Sequence, residues 1–159
     1  MSPRRTDAQA VHRSWSMFPS KHDDVVRLLQ EANLCFTFNR NDSDAGTLQE
    51  CDTNIKGRFQ CTNPACRKVW VSGIVATTIR MYANRRYNAR VYSQRCKGCN
   101  RPCRPFLDQS YEERVAYRLK KWSGIAMELP AYTERATKQP PHESGLCEGC
   151  RHRRCRLAN

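Results

Sequence analysis

Two cysteine pairs, Cys61 with Cys66 and Cys96 with Cys99, bracket a stretch that alternates like a β-hairpin, and no other feature limits the fold so tightly. In the first run Val69, Val71, Val75, Thr77, Ile79 and Met81 alternate with Trp70, Ser72, Ile74, Ala76 and Thr78. In the second, Tyr87, Ala89, Val91 and Ser93 alternate with Arg90, Tyr92 and Gln94, and Ala83-Asn84-Arg85-Arg86 supplies a tip. Period-two patterning rich in β-branched and aromatic residues predicts strands. An antiparallel hairpin returns its ends to one place. Four thiols therefore meet at its open end, as a ribbon-type tetrahedral zinc site requires.

The tail carries a second set of soft and borderline ligands. His142, Cys147, Cys150 and Cys155 follow a His-x4-Cys-x2-Cys-x4-Cys spacing, with Gly149 placed to ease a tight turn. The simplest partition is local, each set holding one zinc ion, because neither site then closes a long additional loop. A crossed arrangement, with Cys61 and Cys66 sharing a metal with Cys147 and Cys150, is the alternative. Of the remaining cysteines, Cys35 reads as a small buried hydrophobe. Cys103, forming Cys-x3-Cys with Cys99, or Cys51, from the strand before the ribbon, could displace a named ligand, although a closed site takes only four. His12, His22 and His152 read as surface residues.

The same ten cysteines would suit a disulfide framework in a secreted chain, but no charged-then-apolar leader opens the sequence. Metal binding is the better reading of Cys-x-x-Cys pairs beside a histidine. No apolar run is long enough to span a bilayer. These observations place the chain inside the cell, in cytoplasm or nucleus. Both ligand sets are fully supplied by protein, which leaves no open position for an activated water, and the His-x-Glu signature of nucleobase deaminases is missing. The expectation is a binding protein and not an enzyme.

Charge points to the partner. The chain has 28 Lys and Arg against 15 Asp and Glu, a net +13 that favours nucleic acid or an anionic surface. Between Arg85 and Lys121 stand eleven basic residues and three acidic ones. Arg85, Arg86 and Arg90 interleave with Tyr87 and Tyr92 on the predicted hairpin, and Arg151, Arg153 and Arg154 follow the last Cys-x-x-Cys. These eight are the candidate nucleic-acid surface, arginines on phosphate and tyrosines stacking on bases, with single-stranded RNA favoured over DNA.

Around the ribbon, residues 1–19 read as a flexible basic arm, with Trp15 and Phe18 able to tuck back, and 20–159 as one domain. A helix opens at Ser20, where Ser20-x-x-Asp23 matches a capping box, and places Val25, Leu28, Leu29 and Ala32 on one face. Leu34 to Phe38 is a short strand, and Asn39 to Gly46 an exposed loop. A second helix starts at Ser110-x-x-Glu113, buries Tyr111, Val115, Leu119 and Trp122, and ends at Gly124. Leu129 to Pro141 reads as a linking loop. The fold class that results is α+β: a small zinc-ribbon-like antiparallel sheet, built on a long hairpin, with two packed helices and two structural zinc sites.

These residues resemble the 3CxxC-type zinc-finger family, especially its small fungal members. The matching elements are Gly57-Arg58-Phe59-x-Cys61, Cys66-x3-Trp70-x-Ser72, Tyr92-x-Gln94-x-Cys96-x-x-Cys99, Tyr111-x-Glu113-Arg114-Val115, Trp122-x-Gly124, Pro141-His142, and Cys147-Glu148-Gly149-Cys150 with Cys155. The family includes receptor-transporting proteins and zygote arrest proteins. The resemblance therefore implies either an RNA-binding module or, as the alternative, a soluble protein-interaction and trafficking adaptor, and it brings no catalytic residues. Two departures stand out: the first pair is Cys-x4-Cys in place of Cys-x-x-Cys, and Arg153 occupies a position where the family often has glycine.

Overall fold

The structure, a computed structural model, describes residues 14–126 and 142–156. The predicted hairpin is present as β4 (Val69–Tyr82) and β5 (Arg86–Tyr92), paired antiparallel from Thr77↔Val91 to Tyr82↔Arg86. Its tip turns through Asn84 and Arg85 at φ 64° and 53°. The residues before it, which the sequence suggested only as a lead-in, form β3 (Thr47–Gln60), as long as β4 and paired with it along its whole length. Short strands complete the sheet: β1 (Trp15–Ser16) and β2 (Thr37–Phe38) on the free edge of β5, and β8 (Phe106–Leu107) beyond β3. A separate ladder joins β6 (Gln94–Arg95) to β7 (Pro102–Cys103).

Two predicted features differ. The part of the supposed arm from Ser14 to Pro19 belongs to the body: Trp15 pairs with Tyr92, and Phe18 is buried. Residues 1–13 lie outside the described residues, as does the whole linking loop from Leu129 to Pro141. Neither capping box forms. The first helix, α1 (His22–Gln30), is entered through a 3-10 turn over Pro19–Lys21, so Ser20 lies inside that turn and cannot cap. At α2 (Ser110–Trp122), the Ser110 amide donates to Asp108 Oδ1 at 2.9 Å, while its hydroxyl accepts from the Lys56 amide and donates to Asp108. Ser110 therefore fastens the helix to β3, and Asp108 takes the amide. The other end matches expectation. Gly124, at φ 84°, lets the Ile125 amide reach Lys120 O and its own amide reach Lys121 O.

One face of the sheet packs on the helices. Ile55 and Phe59 of β3, Val75 and Ile79 of β4, and Tyr87, Ala89 and Val91 of β5 meet Val25, Leu29, Tyr111, Val115 and Leu119 in one cluster. The β3–β4 register shifts twice, beside the tip between Thr47 and Gln49 and again between Ile55 and Gly57. Ile55 opposes Val75, but Gly57 opposes Ser72, so Lys56 faces two residues, Gly73 and Ile74. This bulge exchanges the faces of β4. Below it Trp70 turns inward and stacks on Phe59, with ring centroids 5.2 Å apart and planes at 7°. Val69 and Val71 turn outward, 51% and 53% exposed.

The opposite, outer face is covered only over its upper half. The loop from Asn39 to Gly46 folds back and delivers Asp42 and Asp44 to Arg80, whose side chain is completely buried and also donates to Asn88. Beside it the C-terminal segment, a 3-10 turn (Ser144–Leu146) followed by the single turn α3 (Glu148–Arg151), packs on Ala76 and Tyr92. Among the described residues, no helix is long and apolar enough to cross a membrane.

Candidate metal centres and the basic surface

At the open end of the sheet Cys61, at the end of β3, Cys66, Cys96 and Cys99 converge, with all four sulfurs within 4.8 Å of one another. A tetrahedral ion with metal–sulfur bonds near 2.3 Å holds its sulfurs about 3.8 Å apart. The Cys66 and Cys96 sulfurs stand at 3.7 Å. The widened Cys-x4-Cys loop uses its extra residues: Asn63 O receives the Cys66 and Arg67 amides, and Asn63 Nδ2 donates to Cys99 Sγ at 3.3 Å. Such outer hydrogen bonds orient and stabilise thiolates. Arg67 and Asn100, which follow the second cysteine of each pair, take φ values of 50° and 56° to close the turns.

The second group gathers His142, Cys147, Cys150 and Cys155, again within 4.8 Å. His142 Nε2 lies 3.4 Å from Cys150 Sγ and 3.7 Å from Cys155 Sγ, matching the edge of about 3.6 Å expected for a mixed nitrogen–sulfur tetrahedron. The Cys150 amide donates to Cys147 Sγ. The two groups are thus the local ones, and the crossed arrangement does not form. Donor chemistry and spacing fit two zinc ions.

Thiol acidity in these clusters is set by burial and crowding. Burial pushes Cys61 up to about 12, and the other three thiols of its group add to the shift. Burial likewise raises Cys150 to about 11, and Cys147 is raised by hydrogen bonding with Cys155 and then by burial. These three thiols keep their protons unless a cation replaces them, so binding must displace protons and depend on pH.

A family model described as a zinc-binding domain, the 3CxxC zinc ribbon, matches residues 54–153. The chain belongs to the 3CxxC zinc-ribbon family. That match contains all of the first metal group and His142, Cys147 and Cys150 of the second, with Cys155 two residues beyond it. No curated protein and no solved structure matches the chain.

Within this zinc ribbon several expectations from the sequence are corrected. Gly149 does not serve a left-handed turn. It permits close approach, since a Cβ there would lie 2.3 Å from Ala76 Cβ. Arg153, standing where glycine is common, does take the left-handed conformation, at φ 58°. Cys35 is exposed, not buried. Cys103 is buried beside the first group, its thiol toward Arg101 O, and belongs to neither ligand set; Cys51 also stands apart. His22 is partly buried and 2.7 Å from the Tyr87 hydroxyl, whereas His152 is exposed with its ring against Trp15.

The eight candidate nucleic-acid residues do not make one surface. Tyr87 and Tyr92 are in the core, 0% and 2% exposed, because they lie on opposite faces of β5, the first packed against α1 and the second against the tail. They offer no stacking plane. Arg90 is held by Asp42 and lies over the Trp15 ring; Arg154 pairs with Glu50 and Asp52; Arg151 pairs with Glu148. Arg85 and Arg86 are exposed at the hairpin tip, and Arg153 is exposed on the tail. The residues that sequence reasoning passed over stand at the other end, around the first metal group: Arg58, Arg67 and Lys68 are exposed and form no ion pair among the described residues. A signal for them existed. From Thr53 to Leu107 the sequence has twelve Lys and Arg and no Asp or Glu over 55 residues.

Proposed function

We propose that this zinc ribbon is a nucleic-acid-binding module, with RNA as its ligand, and that the phosphate backbone lies across the end of the sheet that carries the first metal group. The carrying observation is how the acid-free stretch is divided in the fold. Of its twelve cations, Arg80, Arg90, Arg95 and Lys97 pair with carboxylates. Arg85 and Arg86 occupy the hairpin tip. The other six, Lys56, Arg58, Arg67, Lys68, Arg101 and Arg104, flank or lie within the two cysteine pairs and the adjoining strand ends. Cations massed on one face favour a polyanion and release its counterions on contact. Zinc serves to hold the scaffold. Each group offers four protein donors, so the reading includes no catalytic step, and it places the protein inside the cell.

The test is the salt dependence of single-stranded RNA binding. If about five phosphates are neutralised, log affinity falls with log salt at a slope near −3.5. Replacing Arg67 and Lys68 together with alanine should flatten that slope by about 1.4, one phosphate contact being lost for each. Replacing Arg85 and Arg86 at the tip should change it far less. Equal effects at the two ends would remove the proposed location, and no salt-dependent binding to any RNA or DNA would remove the reading.

A protein-adaptor reading is favoured by one observation, a cavity of about 220 Å³ between the two metal groups, lined by Trp70, Val71, Ile74 and Leu146. Retention of an acidic protein partner that resists added RNA would support it over the nucleic-acid reading.

A further inference from the structure

The outer face of the sheet is covered above the bulge and bare below it. Gly149 seats the second metal group against Ala76, and the Asp42–Asp44 loop closes over Arg80. Below, β8, β3 and β4 lie side by side with Phe106 opposite Arg58 and Arg58 opposite Val71, while Gln60 opposes Val69. Phe106, Val71 and Val69 are 55%, 53% and 51% exposed, three of the four exposed large apolar side chains among the described residues. The Arg58 guanidinium stands 4.9 Å from the centre of the Phe106 ring. Three adjacent strands at a spacing of about 4.8 Å place Phe106 and Val71 roughly 10 Å apart, a width that takes a base and its neighbour.

We infer that this bare half-face is a stacking platform for unpaired bases, with Phe106 and the Arg58 guanidinium as its planar groups and Val69 and Val71 as its apolar floor. The inference rests on the nucleic-acid reading and narrows it to single strands. An apolar patch rimmed by cations marks an interface. The occupant must bring both anionic charge and flat apolar surface, and the cations nearest the patch, Arg58, Arg67 and Lys68, form no ion pair among the described residues. A duplex meets the charge requirement only, because its bases are already stacked on each other. A single strand meets both, as on other sheet-based platforms. The bulge is what creates the site. Without it Val69 and Val71 would face the helices and Trp70 would face solvent.

The experiment uses the full chain with both metal groups loaded and a fluorescein-labelled oligouridylate of about 12 nucleotides, free or annealed to its oligoadenylate complement, read by anisotropy. Phe106→Ala should weaken single-strand binding about 5- to 150-fold and leave duplex binding and the salt slope unchanged, since no charge is removed. Circular dichroism and two zinc ions per chain would show that the variant is folded. Phe106→Trp should keep the affinity, and its new indole emission should be quenched on binding, a signature that a merely structural ring would not give. If Phe106→Ala leaves single-strand affinity unchanged, or weakens strand and duplex alike, the platform is wrong while the polyanion reading stands. If neither probe binds and the chain instead sediments with anionic vesicles, platform and nucleic-acid reading fail together.

Discussion

The seat of the second metal group rests on a single missing methyl. Gly149 lies in α3 between the ligands Cys147 and Cys150, and its position against β4 would put an added Cβ 2.3 Å from Ala76 Cβ. Carbon atoms rest about 3.5–4.0 Å apart, so Gly149→Ala forces the turn to retreat by more than ~1 Å. Neither partner can rotate away, because both are Cβ atoms fixed to backbone. Ligand positions tolerate only about 0.2 Å. The turn must therefore either strain the site or move with it and uncover Ala76 and Tyr92, at present 1% and 2% exposed. Overpacking of this kind costs about 1–3 kcal/mol or somewhat more, and the gain in helix propensity returns less than about 1. We expect a net loss of about 2–3 kcal/mol, which makes zinc at the second group about 30- to 150-fold weaker and leaves the first unaffected. Competition with a chromophoric chelator reads both affinities in one titration. The control is Ala76→Gly in the same chain. That change costs about 0.5–1 kcal/mol as a strand glycine, but it removes the opposing methyl and should restore most of the second affinity. Wild-type zinc binding by Gly149→Ala alone would refute the docking of this knuckle on β4.

Two smaller changes test local conformation and protonation. Arg153 is held at φ 58°, which costs a non-glycine residue about 1–2 kcal/mol, partly offset in a glycine by its greater unfolded freedom. Arg153→Gly should therefore stabilise the protein by about 0.5–1 kcal/mol and raise the melting temperature by roughly 2–4 °C; a lower melting temperature would contradict it. Burial lowers the pKa of His22, against the pull of Asp23, so the unfolded chain takes up its proton at higher pH than the folded one. Stability from this residue is complete above about pH 6.5 and declines as pH falls below that value. Urea midpoints in zinc-saturated buffer at about pH 7.5 and 6 should show the decline, and His22→Gln should flatten it.

How much of this was legible depended on which neighbours each residue acquires. The two ligand sets were readable because zinc chemistry restricts residue type and spacing, and a hairpin or a short tail leaves few ways to group them. β3 was not recognised as a full strand because Asp52, Asn54, Lys56 and Gly57 are poor strand formers; pairing along β4 overrides them. The alternation of Thr53, Ile55, Gly57 and Phe59 with polar residues was nonetheless present in the sequence. Tyr87 and Tyr92 looked like accessible stacking groups because alternation separates two faces without saying what covers each. Here α1 covers one and the C-terminal knuckle the other. Arg80, an isolated charge in an apolar strand, found its carboxylates in a loop whose Asn-Asp-Ser composition suggested only solvent. The β4 bulge depends on a one-residue mismatch with β3, a relation between two strands that neither sequence segment carries alone.

The two metal groups should empty in order, the second before the first, with an intermediate that keeps its sheet. Cys61 and Cys96 are part of the main apolar cluster, and Cys66 and Cys99 pack against it, so the first group ties together β3, β6 and the core under the helices. Cys147 and Cys155 instead form a separate small cluster with Ala76 and Tyr92. The groups are not wholly independent. Arg95, next to Cys96, pairs with the buried Glu148 next to Cys147, and Gln94 bridges Cys147 along the backbone. A charge-assisted bond and a short backbone bridge contribute about 1–3 kcal/mol, while each structural zinc contributes about 10–16. That coupling is too small to merge two releases into one. Trp15 reports the second site, its ring 5.5 Å from His152 and 5.9 Å from Tyr92. Titration with a zinc chelator should therefore change Trp15 emission as the first equivalent leaves, with the far-ultraviolet dichroism of the sheet intact. Dichroism should collapse only with the second equivalent. His142→Ala should start from the intermediate, holding one zinc per chain with the sheet formed. A single step that released both ions and all structure together would show that the main cluster cannot stand without the knuckle on its outer face.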